Sequence, residues 1–167
     1  SNFYALSNVD RDKSALVEID AQTGKEQNVV FSCDKTDIAR VDYSKEQHRL
    51  EIVGCEEEKP KKHFLDSGIK LIYDTLSHFL HGTQIDILSQ DSAGNKFIFF
   101  SYTDRNPGTY YLYQRDNGKI TSLGNINSSI KPEDLCAMEP ISFKSRDGLV
   151  INGYLTLPKR NKITDLP

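Results

Sequence analysis

Cysteine is scarce in this sequence. Three occur, Cys33, Cys55 and Cys136, and no two stand in a C-x-x-C pair. That excludes a dense disulfide framework and a finger-type structural zinc site. Two readings stay open: three buried free thiols, the favoured expectation, or one disulfide beside one free thiol. The redox compartment stays open with them. Long apolar runs are missing as well. Phe97-Ile98-Phe99-Phe100 is strand-sized, far short of the roughly 20 residues a spanning helix needs, so no membrane span is expected. Basic stripes are also absent. The Lys59, Lys61, Lys62 cluster follows the acidic run Glu56-Glu57-Glu58 and reads as a solvated charged turn. With a net charge of −3, nothing favours a nucleic-acid partner.

What remains is ordinary globular composition, 37% hydrophobic and 27% charged over 167 residues. That length supports about one domain with a real core. The chain opens Ser1-Asn2 without Met, which reads as a processed or engineered start, and no leader is visible.

Short β-like runs separated by turn residues dominate. They are expected at Phe3 to Leu6, Ala15 to Asp20, Val29 to Phe31, Ile38 to Tyr43, Arg49 to Val53 and Gln84 to Ser89. Lys96 to Tyr102 and Thr109 to Arg115 are expected to form a hairpin across Asp104-Arg105-Asn106-Pro107-Gly108. Lys119 to Leu123 follows the hairpin signal Asn117-Gly118. One segment breaks the pattern. Leu65, Ile69, Ile72, Leu76 and Phe79 recur with helix period, and His81-Gly82 supplies a stop. A helix is predicted over about 64–80. A short helical turn is predicted at Pro132-Glu133-Asp134.

Strands recurring every ten residues or so, each returning through a Gly, Asn or Asp turn, point to antiparallel meanders. The stretches SALVEIDAQTGKEQNV and TYYLYQRDNGKITSLG share one shape: strand, polar Gly-Lys turn, strand. That is the form of a propeller blade's hairpin. The predicted fold class is mainly β, its meanders those of a sandwich, a barrel or propeller blades with one inserted helix; a family resemblance narrows them to antiparallel meander blades of a partial β-propeller.

Two further stretches carry a family resemblance. FIFFSYTDRNPGTYYLYQRDNGKITSLG and MEPISFKSRDGLVINGYLTLP follow each other in order. Within them stand Asp104 to Tyr113, Arg146-Asp147-Gly148, Gly153-Tyr154-Leu155 and Pro158, with KHFLD upstream. In order and spacing they resemble the prolyl oligopeptidase family of serine peptidases, in its acylaminoacyl-peptidase and dipeptidyl-aminopeptidase-like branch. The resemblance covers about Arg40 to Pro167 and is thinner before. It implies that 1–131 are propeller blades. Residues 132–167 would then be a linker and the first β-hairpin of an α/β-hydrolase domain whose remainder is absent from this sequence.

The chemistry of such a domain needs a Ser on a strand-to-helix elbow, normally G-x-S-x-G, with an acid and a His later. No G-x-S-x-G occurs in this chain, so no catalytic residue is assigned. His78 and His81 stand three apart on the predicted helix, too few ligands for a metal, and no metal or cofactor is expected. His48 and His63 read as exposed. Asp104 and Arg105 are the candidate substrate-access residues, because hairpin loops on rigid scaffolds often carry function. The competing reading is structural, with Arg105 holding the loop through a carboxylate fork. Tyr111 and Tyr113 share one strand face and are expected to pack.

The resemblance implies a non-catalytic gating role in a peptidase of short peptides. The partners would be the peptide substrate and the missing hydrolase domain. Exposed strand edges would add self-association. The alternative from another class is a stand-alone β-propeller or β-meander module that binds a protein or cell-envelope partner.

Overall fold

The computed structural model describes residues 2–57 and 59–159. Glu58 and the tail 160–167 lie outside the described residues, and with them part of the acidic run and the end of the expected second domain. The chain divides into two compact units, one ending at Ile72 and the other beginning at Tyr73. The division falls inside the helix, whereas the sequence reading set its boundary after residue 131.

The first unit holds two three-stranded antiparallel sheets. Strands β1 (Asn2–Ser7), β2 (Ala15–Asp20) and β3 (Glu26–Ser32) pair in chain order, as do β4 (Ile38–Ser44), β5 (Arg49–Glu56) and β6 (Pro60–Phe64). Their shared core is the buried cluster Leu16, Cys33, Ile38, Val53 and Cys55, with Phe31, Val41 and Leu50 packed against it. The cysteine expectation is corrected at this cluster. Cys33 and Cys55 form a disulfide with Cα atoms 6.0 Å apart, and Cys136 alone is a free thiol. Packing of the two sheets brings the two residues together across 22 positions, a proximity that spacing along the chain does not express.

Strand β6 is the second correction. The lysine cluster was expected to be a turn, yet Lys61 pairs with Cys55 and Lys62 with Gly54. The acidic run and Pro60 hid a short edge strand, and lysine is a normal guard on such an edge. His63 lies on this strand, half-buried, its ring 4.8 Å from Phe31 between centroids. It is not the exposed residue expected.

The helix α1 runs Ser67–Phe79, three residues shorter at its start than predicted. Phe64 closes β6 opposite Ile52, and the Leu65 N–H donates to the Glu51 carbonyl at 2.8 Å. Asp66 then acts as the cap: its carboxylate accepts the Ile69 N–H at 2.9 Å and pairs with Arg49 at 3.0 Å. Leu65 fits the helical period only by coincidence. Ile69, Ile72 and Leu76 are buried as the period requires, while Phe79 is exposed. Gly82 follows with φ of 72°, the left-handed conformation that suits a residue without Cβ.

The second unit contains a four-stranded antiparallel sheet of β7 (Gln84–Gln90), β8 (Lys96–Thr103), β9 (Asn106–Gln114) and β10 (Lys119–Asn125), paired in chain order. The Tyr73 hydroxyl accepts the Ile87 N–H at 3.2 Å, tying the middle of the helix to β7. A 3-10 turn at Pro132–Asp134 sits where the sequence predicts it. It leads to the hairpin of β11 (Met138–Lys144) and β12 (Val150–Thr156).

One turn chemistry recurs. Asp20 accepts the Gln22 and Thr23 N–H groups before Gly24, Asp91 accepts those of Asn95 and Lys96, and Asp147 accepts that of Leu149. These donors stabilise the ionised carboxylates. Backbone N–H groups hold Asp20 and Asp91 below the usual carboxylate range, and the Ser145 side chain leads the same effect at Asp147. The two similar sequence stretches are the hairpins β2–β3 and β9–β10.

Aromatic pairs hold the larger sheet. Phe97 and Phe99 are fully buried on one face of β8. Opposite them stand Tyr113 and Tyr111 on β9, at 6.1 and 5.1 Å between ring centroids. The other face carries Phe100, 4.9 Å from Tyr110. The Phe100 ring lies directly over Gly108, where a Cβ would fall 1.9 Å from a ring carbon; Gly108 also has φ of 131°. Gly108→Ala is therefore expected to lower stability by about 3 kcal/mol, overpacking and backbone strain together. Urea unfolding measures it. In a Phe100→Ala background the added cost should shrink to the backbone part alone, about 1 kcal/mol.

Candidate functional site

The β8–β9 connection is tighter than the sequence suggested. Thr103 pairs with Asn106, so Asp104 and Arg105 alone form the turn, and Pro107 and Gly108 belong to β9. The frame around the turn is well bonded. The Arg105 N–H donates to Thr103 Oγ1 at 3.1 Å, and the Gly108 N–H to Asn106 Oδ1 at 3.1 Å. Behind them the Ile126 N–H donates to the Gly108 carbonyl at 3.0 Å, and the Thr109 hydroxyl donates to Asn125 Oδ1 at 2.7 Å.

The two candidate residues part company at this turn. The Asp104 carboxylate accepts the Met138 N–H at 2.9 Å, across 34 positions of sequence. It thus fastens the start of β11 to the tip of the β8–β9 hairpin. Arg105 is exposed, and its guanidinium makes no ion pair or hydrogen bond among the described residues. The carboxylate fork considered from sequence is not formed among them. A fixed backbone thus presents one unpaired cation to solvent, next to an anchored carboxylate. Nothing local in the sequence announced the Met138 contact.

The other titratable groups lie apart from this turn. His78 and His81 approach edge to face, 5.5 Å between ring centroids. Among the described residues no group of three or more His, Cys, Asp or Glu could hold a metal ion. Glu51 on β5 is the one carboxyl pushed up among those with a resolved shift. Burial is the main cause, and the neighbouring Asp66, Asp42 and Glu46 charges add to it while Arg49 opposes them. Its surroundings make it a strained part of the helix-capping network and supply no reacting partner.

Two predictions follow from these charges. Asp104→Ala removes the acceptor for the Met138 N–H, an exposed bond of about 1 kcal/mol, so exchange of that amide should quicken roughly fivefold. Asp104→Asn keeps an acceptor and should retain most of the protection in the same hydrogen-exchange experiment. Glu51 has the opposite sign from the turn aspartates. Its folded pKa lies above its unfolded value, so its ionisation opposes folding, and stability falls as pH rises through that window. Glu51→Gln should stabilise the chain at pH 7 by under about 1 kcal/mol, since the site is only partly buried. The gain should vanish towards pH 4 in urea titrations.

Comparison with known proteins adds the following. No family model matches the chain. Dipeptidyl aminopeptidase BIII of Pseudoxanthomonas mexicana is 22% identical over 156 residues, which cover 93% of this chain and 22% of that protein. A solved chain matches with a TM-score of 0.56 and 15% identity over 96% of this chain and 24% of its own length. It comes from a structural and mechanistic study of two prolyl endopeptidases and the role of inter-domain dynamics in their catalysis and specificity. This chain therefore spans less than a quarter of either relative. Its fold is that of antiparallel β-propeller blades with one helix, and the chain is similar to the propeller portion of prolyl oligopeptidase-family peptidases.

Proposed function

We propose that this chain is the β-propeller portion of a serine peptidase that hydrolyses short peptides. Its blades limit access to a Ser-His-Asp α/β-hydrolase domain encoded beyond these residues, and β11–β12 is the first hairpin of that domain. The observation that carries the reading is the hairpin itself. A two-stranded hairpin is marginal alone, yet among the described residues β11–β12 is joined to no other strand. Ile141, Phe143, Ile151 and Leu155 alternate onto one face and are 38 to 54% exposed. Such a face suits coverage by a further layer of the same domain. In this reading Arg105 meets the carboxylate of an entering peptide, while Asp104 couples the blade to the hairpin at Met138.

The test uses the full natural reading frame that contains this sequence. A fluorophosphonate probe should label the full product and leave the present segment unlabelled. The full product should cleave chromogenic di- to tetrapeptides and leave folded proteins of matching sequence intact. Arg105→Ala should raise KM for acidic peptides with kcat nearly unchanged, the signature of lost substrate binding. The isolated segment, with open strand edges, should gain mass with concentration in light scattering. A full product that neither labels nor cleaves would sink the peptidase reading and favour a binding module.

A further inference from the structure

We propose that the Cys33–Cys55 disulfide is the redox-dependent staple of the first two sheets, and that the protein works where thiols are held oxidised. Cys33 follows the last residue of β3, and Cys55 lies within β5. The bond therefore ties the β1–β3 sheet to the β4–β6 sheet and closes a loop of 22 positions that contains β4. Disulfides of this kind are normally kept only in oxidising compartments.

The joint it holds is thin. The cluster shared by the two sheets has five buried members, and two of them are these half-cystines. Its other components are modest. Phe31 meets His63, Tyr4 stands 6.3 Å from Tyr43 between ring centroids, and Ser14 exchanges hydrogen bonds with Asp37 and Ile38. Reduction would leave two thiols that still pack as small apolar groups. The loss would thus fall on the cross-link itself, which restrains the opened chain.

Burial sets the kinetics. Cys33 is 7% exposed and Cys55 2%, so a reductant reaches neither sulfur until the sheets part locally. The bond is a staple that forms during folding and persists, and rapid cycling is not its role. Its formation needs a disulfide-donating oxidant. One protein thiolate attacks that disulfide and expels a thiolate, giving a mixed disulfide. The second protein thiolate then attacks the protein sulfur and expels the other. The oxidant takes up two electrons and leaves as two thiols, while both protein sulfurs are oxidised. Cys136, free and half-exposed outside this core, serves as an internal reference thiol.

The full-length protein, made in an oxidising medium, is alkylated without reductant and mapped by peptide mass spectrometry. Cys136 should carry the label, and Cys33 and Cys55 should appear as one linked peptide. Hydrogen exchange over 33–56 should quicken on the order of 100-fold once the bond is reduced, the size expected for opening a loop of this length. Cys33→Ala with Cys55→Ala should show the fast exchange with or without reductant, and Cys136→Ser should respond to reductant as the parent does. Label on both Cys33 and Cys55 in the unreduced protein would overturn the proposal. So would unchanged exchange after reduction verified by mass.

Discussion

Every sheet among the described residues pairs strands that are neighbours in sequence, and the rest of the structure depends on that constraint. A meander satisfies its backbone hydrogen bonds locally, through connections of two to seven residues. It cannot, however, complete a core by itself. Each small sheet leaves two edges and at least one open face, so whatever joins one sheet to the next decides the tertiary structure. In the first unit that joint is a cluster of five buried side chains reinforced by a covalent bond. In the second, an aromatic ladder of Phe97 and Phe99 facing Tyr113 and Tyr111 holds the four-stranded sheet within itself, and the Asp104–Met138 hydrogen bond ties that sheet to β11.

The local character of the pairing explains what could be read in advance. Strand, turn and strand leave marks within ten residues: Asp20 to Gly24, Asn117-Gly118 and Asp147-Gly148 are turns by composition and turns in the structure. The helix showed its period for the same reason. Its first turn was misjudged because Leu65 keeps that period while Asp66, one residue later, is the true cap. Strand β6 was missed because its sequence, PKKHF, is that of a guarded edge and lacks alternating apolar residues. The Cys33–Cys55 bond and the Asp104–Met138 bond were illegible. Each is created by the packing of elements, and nothing near either residue encodes the other.

At the candidate site the division is similar. Sequence singled out Asp104 and Arg105 because they occupy a hairpin loop, but it could not assign their separate roles. The structure ties one down and leaves the other exposed. A carboxylate that accepts a backbone N–H from another hairpin is a mechanical coupling between two elements. An exposed guanidinium on a two-residue turn has its backbone held by the hairpin, while the side chain keeps the rotamer freedom that any contact would have to overcome.

The backbone conformations and the shifted carboxyls of the described residues have local causes as well. A catalytic elbow stores strain at one residue and surrounds it with converging donors. In the described residues the tight backbone positions serve packing and turns: Gly108 yields space to Phe100, and Gly24, Gly82, Gly94 and Gly118 take left-handed turns. The perturbed carboxyls answer to turn N–H groups at Asp20 and Asp91, to side chains at Glu26 and Asp147, and to burial at Glu51. What the blades offer instead is a series of stiff hairpins whose tips hold charge in set positions. At the β8–β9 tip that charge is divided between Asp104, bonded to the Met138 N–H, and the exposed Arg105.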